Sequence, residues 1–250
     1  MADFLTEMGA TSQARADVLD PAELAARVGD PPPALGEAAF EIFAEVKRAS
    51  PSEGTLARAV DPAARARAYA EAGAHAISVL TEPSRFGGSL DDLAAATASG
   101  APVMRKDFLV DPVQLLEARV FGASGVLLIA AMLPGDRLAR MVDRAAELGL
   151  FVLLEAFDAP DLERIARVLD RGAVTRVGVN CRDLRTLAVD PVRFETLAGH
   201  LPVPAIAESG LHTPDDIERV RKLGYRGALV GTALMRASDP AALMRRLACA

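Results

Sequence analysis

The chain has 250 residues, of which 51% are hydrophobic and 25% charged, and its formal net charge is −6 at pH 7. A pI of about 5.2 excludes the broadly basic footprint of a nucleic-acid-binding protein, although a small local anion site stays open. No apolar run approaches the roughly 20 residues of a membrane span, and Met1–Met8 lacks the basic and apolar regions of a signal peptide. Cys181 and Cys249 make no disulfide framework, no Cys/His cluster has metal-ligand spacing, and a reducing cytoplasm is the expected setting. The length suits one domain.

The first 40 residues stand outside the regularity that follows, and the reading is an N-terminal extension (1–40) packed on a catalytic domain (41–250). In the extension, Asp20-Pro21 followed by Ala22–Val28 predicts a helix ended by Pro31-Pro32-Pro33. From Ile42 onward, apolar runs end in polar residues about every 25 residues. The runs are Ile42–Lys47, Ala76–Thr81, Pro102–Lys106, Gly125–Ala130, Phe151–Glu155, Arg176–Asn180, Val203–Glu208 and Ala228–Thr232. Near-continuous apolar character is that of parallel strands covered on both faces.

Between the runs lie stretches of helical length. Asp61-Pro62, Asp111-Pro112, Asp190-Pro191, Thr213-Pro214 and Asp239-Pro240 each set an N-cap oxygen before a proline in the first turn. Gly73, Gly100, Gly122, Gly149 and Gly224 suit the left-handed position after a helix. Asp136–Leu148 and Asp161–Leu169 fit the fourth and fifth helices. Eight strand–helix units predict a single (β/α)8 TIM barrel, an α/β fold whose chemistry sits at the C-terminal ends of the strands. The long connection Arg48–Val60, directly after Lys47, is a candidate lid.

The strand ends carry the candidate chemistry. Glu45 and Lys47 alternate with Val46 and point to one face, either as a structural ion pair or as working groups. Lys106 can serve as a general acid or neutralise an anion, or it can extend to solvent. Glu155, after four apolar residues, suits a base with a raised pKa, or a loop hydrogen bond. Asn180 can orient a hydroxyl or carbonyl, and Arg182 can meet a carboxylate or sit solvated. Cys181 alternates away from Asn180 and reads as a buried, inert thiol. Glu208-Ser209-Gly210 and Gly231-Thr232 follow the last two strands, where barrels hold phosphate on backbone amides, and Ser50 can add a hydroxyl. His75 and His200 read as structural, and His212 as structural or phosphate-contacting.

Several of these segments resemble one family in register. Ala44-Glu-Val-Lys-Arg-Ala-Ser-Pro-Ser52 resembles the first-strand signature of indole-3-glycerol phosphate synthases. Ile77-Ser-Val-Leu-Thr-Glu82 with Phe86-Gly-Gly-Ser89, Arg105-Lys-Asp-Phe108, Leu154-Glu155, Val179-Asn-Cys-Arg-Asp-Leu184, Ala207-Glu-Ser-Gly210 and Val230-Gly-Thr-Ala-Leu-Met235 continue the match. The resemblance implies a carboxy-lyase of tryptophan biosynthesis that closes the indole ring of 1-(2-carboxyphenylamino)-1-deoxyribulose 5-phosphate. It implies Lys106 as general acid and Glu155 as general base, and leaves open how the acid and base steps divide between Lys47, Lys106 and Glu155. Glu45 and Asn180 would orient groups and Glu208 would stabilise a cationic intermediate. Ser50, Ser209, Gly210, Gly231 and Thr232 would hold phosphate, with Lys47 as counter-charge. Phe86, Phe108, Leu127 and Leu184 resemble the wall against the aromatic ring. No cofactor, metal, nucleic acid or membrane is implied, only a phosphorylated small molecule, with room for contacts to other tryptophan-pathway enzymes.

Two departures stand out. Arg105 occupies a place often held by an apolar residue, and the extension lacks the family's densely charged helix. Among rivals, phosphoribosylanthranilate isomerase would pair a cysteine near the first strand with an aspartate, and Lys47 occupies that region instead. A non-catalytic phosphate-binding barrel would not need every candidate retained. A paralogue in secondary metabolism would share the chemistry.

Overall fold

A computed structural model describes residues 3–50, 54–55, 61–184 and 187–250, apart from the side chains at 50, 54 and 55. Among the described residues, eight parallel strands close into a barrel. They are β1 (Glu41–Val46), β2 (Ala76–Leu80), β3 (Val103–Lys106), β4 (Gly125–Ile129), β5 (Phe151–Ala156), β6 (Thr175–Asn180), β7 (Ile206–Glu208) and β8 (Gly227–Val230). Each pairs with its neighbours in sequence, and β1 closes the ring by pairing with both β2 and β8. This is the expected (β/α)8 architecture.

Period-two alternation sorts the side chains. Ile42, Ala44 and Val46 of β1 join the large cluster under the helices, whereas Phe43 joins the cluster inside the barrel with Met104, Leu127, Phe151 and Leu153. Both faces of each strand are therefore apolar, which accounts for the continuous hydrophobic runs. Inward positions become polar only towards the two ends. At the N-terminal end, buried Glu41 takes two hydrogen bonds from Arg176 Nε, at 3.1 and 2.9 Å, and one from Arg226 Nη2 at 2.7 Å. Glu37 joins both arginines at 3.0 and 2.6 Å, so the linker before β1 is tied across that end.

The helices are α1 (Phe4–Ala16), α2 (Pro21–Ala25), α3 (Pro62–Glu71), α4 (Pro83–Phe86), α5 (Leu90–Thr97), α6 (Pro112–Val120), α7 (Arg137–Glu147), α8 (Ala159–Ala166), α9 (Arg193–Ala198), α10 (Pro214–Lys222), α11 (Thr232–Arg236) and α12 (Pro240–Ala248). Asp61, Asp111, Thr213 and Asp239 cap their helices as expected. The five predicted terminal glycines all have positive φ, between 65° and 97°.

Several boundaries differ from expectation, among them the start of β7, at Ile206 rather than Val203, and the end of the fifth barrel helix, at Ala166 rather than Leu169. Asp190 accepts the Val192 amide at 3.2 Å, but the chain first makes a turn and α9 begins at Arg193. The fifth barrel helix starts two residues early, because Asp158 rather than Asp161 is its cap. In the extension α2 ends at Ala25, not Val28. The sequence reading also passed over α1, whose Asp3 cap accepts the Thr6 amide and whose buried residues Leu5, Met8, Ser12 and Ala16 form one helical stripe. In the expected lid, Ala49–Ser50 pairs antiparallel with Gly54–Thr55, and residues 51–53 and 56–60 lie outside the described residues. Among the described residues no helix is long and apolar enough to cross a membrane.

Candidate active site

The C-terminal ends of the strands surround a cavity of about 250 Å³. Every predicted site residue except Ser50 lines it: Glu45, Lys47, Phe86, Lys106, Phe108, Leu127, Glu155, Asn180, Arg182, Leu184, Glu208, Ser209, Gly210, Gly231 and Thr232. The Ser50 side chain lies outside the described residues.

Lys106 stands at the centre of the charges. Its Nζ lies 3.5 Å from Glu155 Oε2 and 3.5 Å from Glu208 Oε2, and both glutamates are fully buried. The lysine therefore does not extend to solvent. Burial alone would lower its pKa, but the facing carboxylates of Glu155, Glu208 and Glu45 overcome that and raise it above the ordinary lysine value. The carboxyl driven well above the usual range is that of Glu208, by burial first and then by the charge of Glu155, with Lys106 opposing. None of the four oxygens of Glu155 and Glu208 has a hydrogen-bond partner among the described residues. Buried carboxylates that face a shared lysine beside a cavity mark a candidate functional site.

Glu45 and Lys47 form an ion pair of 2.7 Å at the end of β1. It faces the backbone of β8: a Cβ placed on Gly231 would stand 2.2 Å from Glu45 Oε1 and 3.0 Å from Lys47 Nζ. The predicted phosphate residues Gly231 and Thr232 are thus next to a lysine. Across the β7–β8 side, Ser209 and Gly210 both adopt left-handed backbone, at φ 68° and 65°. For serine this conformation is sparsely populated and costs of order 1 kcal/mol, a form of strain concentrated at functional sites. Asn180 Oδ1 accepts the Arg182 amide at 2.9 Å, and Arg182 Nη1 donates to the Leu187 carbonyl at 3.1 Å, which fixes the strand-six end of the mouth.

The opposite side is apolar. Phe86 and Phe108 have ring centroids 6.1 Å apart, and Leu127 and Leu184 belong to the same cluster. Phe86 is delivered by α4, whose N-cap Glu82 accepts the amides of Ser84, Arg85 and Phe86. Helix α1 completes this wall: Leu5 and Met8 join the cluster, Phe4 meets Phe108 edge-on at 5.7 Å, and Glu7 pairs with Arg85.

Arg105 points away from the mouth and is almost wholly buried. Its guanidinium binds Asp107 at 3.1 Å, Glu117 at 2.7 Å, the Gln114 carbonyl at 3.1 Å and the Thr81 hydroxyl at 3.2 Å. The buried arginine is accommodated by a full set of partners. Asp107 also binds Arg15 of α1. Burial would raise the Asp107 pKa, but the hydrogen bonds from Arg15 and the charge of Arg105 hold it at about 2.

Sequence reasoning missed Asp107, Glu82 and the contribution of α1. For α1 the signal was present, as apolar residues spaced three and four apart behind Asp3. Cys181 is buried, and burial pushes its thiol up to about 11, in keeping with an inert role. His75 Nε2 lies 3.2 Å from the Gly36 carbonyl on the far side of the barrel, His200 is exposed, and His212 lines the cavity rim.

The family model of indole-3-glycerol phosphate synthase matches residues 22–247. The chain is 48% identical over 221 residues to the indole-3-glycerol phosphate synthase of Nocardioides sp., covering 87% of this chain and 84% of that protein. It is 45% identical to the one from Salinibacter ruber, covering 86% and 79%, and 46% identical to the one from Mycobacterium avium, covering 90% and 85%. Among solved structures, thiamine phosphate pyrophosphorylase from Pyrococcus furiosus superposes with a TM-score of 0.58 at 17% identity, over 84% of this chain and 94% of that one. That last likeness is one of fold alone.

Proposed function

The chain belongs to the indole-3-glycerol phosphate synthase family and is a carboxy-lyase of tryptophan biosynthesis, and we propose that Lys106, Glu155, Glu208 and the Glu45–Lys47 pair divide its chemistry. The reaction converts 1-(2-carboxyphenylamino)-1-deoxyribulose 5-phosphate to indole-3-glycerol phosphate, carbon dioxide and water. The observation that carries the assignment of roles is one ammonium placed 3.5 Å from each of two buried carboxylates in a mouth that is apolar on one side.

In this reading the aryl ring rests on Phe86, Phe108, Leu127 and Leu184. The phosphate lies at the amides of Ser209, Gly210, Gly231 and Thr232, with Ser50 contributing and Lys47 as counter-charge. Arg182 faces the substrate carboxylate, and Glu45 and Asn180 hold Lys47 and the substrate hydroxyls. The ring carbon bearing the carboxylate attacks the ketone carbon, and Lys106 hydrogen-bonds the ketone oxygen. Because the facing carboxylates strengthen its hold on the proton, Lys106 gives it up only as that oxygen becomes alkoxide-like. Loss of carbon dioxide then returns the bonding pair to the ring and restores aromaticity. For dehydration, the new hydroxyl must leave as water, pushed by the nitrogen lone pair. Glu208, whose raised pKa suits it to carry a proton, supplies that proton and is left as the carboxylate facing the cation. Glu155 removes the proton from the neighbouring carbon to complete the indole.

Both cysteines are free, which suits a cytoplasmic enzyme, and other tryptophan-pathway enzymes are the partners to test by co-sedimentation. The deciding experiment mixes purified protein with the carboxyphenylamino-deoxyribulose phosphate in the presence of EDTA and follows indole fluorescence. Growth of the signal is expected; a folded protein giving none would overturn the reading.

A further inference from the structure

We propose that Gly178 is a positioning residue for Glu208: its missing side chain leaves the space in which the Glu208 carboxylate lies beside Glu155 and within reach of Lys106. The inference rests on the part given to Glu208 in the reaction.

Along β6 the inward positions are 176, 178 and 180. Arg176 runs down to Glu41, and Asn180 stands at the mouth. Gly178 lies between them, with its Cα in register with Glu155 on one side and Ile206 on the other. A Cβ there would stand 2.1 Å from Glu208 Oε1, 3.3 Å from Glu208 Cδ and 3.3 Å from Leu153 Cδ1. The backbone does not call for glycine, because Gly178 is an ordinary strand residue outside the positive-φ set. A glycine inside a strand weakens it and commonly marks a close approach of another group. Here the approaching group is a carboxylate of the mouth.

The collision would be with the free end of a side chain that has no hydrogen bond among the described residues and borders the cavity. Glu208 can therefore yield by swinging towards the mouth, away from Glu155 and Lys106. The cost of a side chain at 178 falls on geometry at the charges more than on the fold. Gly125 and Gly227 differ in this respect, since a Cβ at those positions would meet the Phe151 ring or the Glu41 backbone.

The test is Gly178→Ala, with kcat, KM, the pH profile of kcat and the thermal midpoint measured together. The expected result is a folded enzyme whose kcat falls about 10- to 100-fold, the range for roughly ångström misplacement of a working group. KM should change less, and the limb of the pH profile set by Glu208 against Glu155, Lys106 and Glu45 should move. The same substitution is then made in a Glu208→Asp background, where the carboxyl is withdrawn by one methylene. There Gly178→Ala should cost no more than about 2-fold, because the shorter side chain clears the added methyl. An equal cost in both backgrounds, or near-native kcat and pH profile in the single variant, overturns the proposal. If Gly178→Ala does not fold, Gly178→Ala with Glu208→Ala should recover the fold; failure to recover assigns the space to packing against Leu153 and overturns the proposal. Glu208→Gln separates the underlying reading: near-native kcat there removes the role of Glu208, and with it this inference, whereas a crippled Glu208→Gln beside an unaffected Gly178→Ala overturns the positioning role alone.

Discussion

Arg15 of the N-terminal helix grips Asp107, the residue after Lys106, through two parallel hydrogen bonds of 2.9 and 2.7 Å. The same carboxylate takes the Thr81 hydroxyl at 2.7 Å and donors from Arg105 and the Phe108 amide. Besides its covalent link to β1, the extension is thereby tied by an ion pair to the segment that carries both Lys106 and Phe108. A bidentate arginine fixes direction as well as distance, so α1 bears on the aim of Lys106 and on the aromatic wall.

Arg15→Ala should therefore lower both stability and turnover. Asp107 keeps Arg105 and Thr81, so the loss should be that of one charge-assisted pair, about 1.5–3 kcal/mol, or about 3–12 °C in thermal midpoint for a chain of this size. The acid dependence gives an independent check. A carboxyl held at about 2, below its ordinary value near 3.9, contributes stability that is fully present above pH 4 and is lost as pH falls towards 2. That contribution, about 2 kcal/mol in the parent, should shrink in Arg15→Ala. Unchanged unfolding curves between pH 2 and 5 would show that α1 does not hold Asp107.

Lys106→Ala should abolish turnover, with kcat reduced by roughly 10³-fold or more, as expected for loss of the group that meets the developing alkoxide. Binding that depends on phosphate should largely survive, because Ser209, Gly210, Gly231 and Lys47 are untouched. The variant also leaves Glu155 and Glu208 facing each other without their shared cation. Without that opposing charge the raised carboxyl pKa of Glu208 should rise further, and a carboxyl whose folded pKa is raised loses its contribution as pH rises. The variant should accordingly lose stability, relative to the parent, as pH rises above the ordinary glutamate value. Turnover near the native rate would remove Lys106 from the reaction.

The barrel was legible because each unit repeats the same local physics. A capping carboxylate before proline, an amphipathic helix, a left-handed glycine and a doubly buried strand recur in order, and Asp111, Gly122 and Gly125–Ile129 show one such cycle. The candidate site was legible because charged residues such as Lys106 and Glu155 recur at the C-terminal ends of apolar runs. What escaped were features set by partners distant in sequence. Nothing near Asp107 announces Arg15, 92 positions away. Arg105 reads as an anomaly until Glu117 and Gln114 of α6 are seen closing around it. The boundary differences at α8 and α9 arose where local geometry decides: Asp158 rather than Asp161 caps α8, and a turn after Asp190 delays α9 to Arg193.

Glu155→Gln should reduce kcat by roughly 10²–10⁴-fold, the range for losing acid–base help. The amide keeps the size of the side chain but cannot take a proton, so the fold should be retained, and the loss should fall on kcat. Removing one of two facing carboxylates also relieves the like-charge repulsion on Glu208, whose pKa should move down. A full pH profile of kcat records both effects. A native rate would leave Glu155 as a counter-ion to Lys106 only.

Gly231→Ala should disturb the phosphate end without touching Lys106. The added methyl would fall 2.2 Å from Glu45 Oε1 and 3.0 Å from Lys47 Nζ, so the 2.7 Å ion pair must open or turn away from β8. If Lys47 is the counter-charge to phosphate, KM for the phosphorylated substrate should rise by at least about 10-fold, equivalent to roughly 1.4 kcal/mol of binding. The weaker binding should also show a changed salt dependence, since a displaced ammonium is screened more readily than one held in the mouth. Inorganic phosphate as a competitive inhibitor supplies the control, because its inhibition constant should rise in parallel. A KM that stays native while kcat alone falls would instead place Lys47 at the reacting carbons, and assign the phosphate to Ser209 and Gly210 without it.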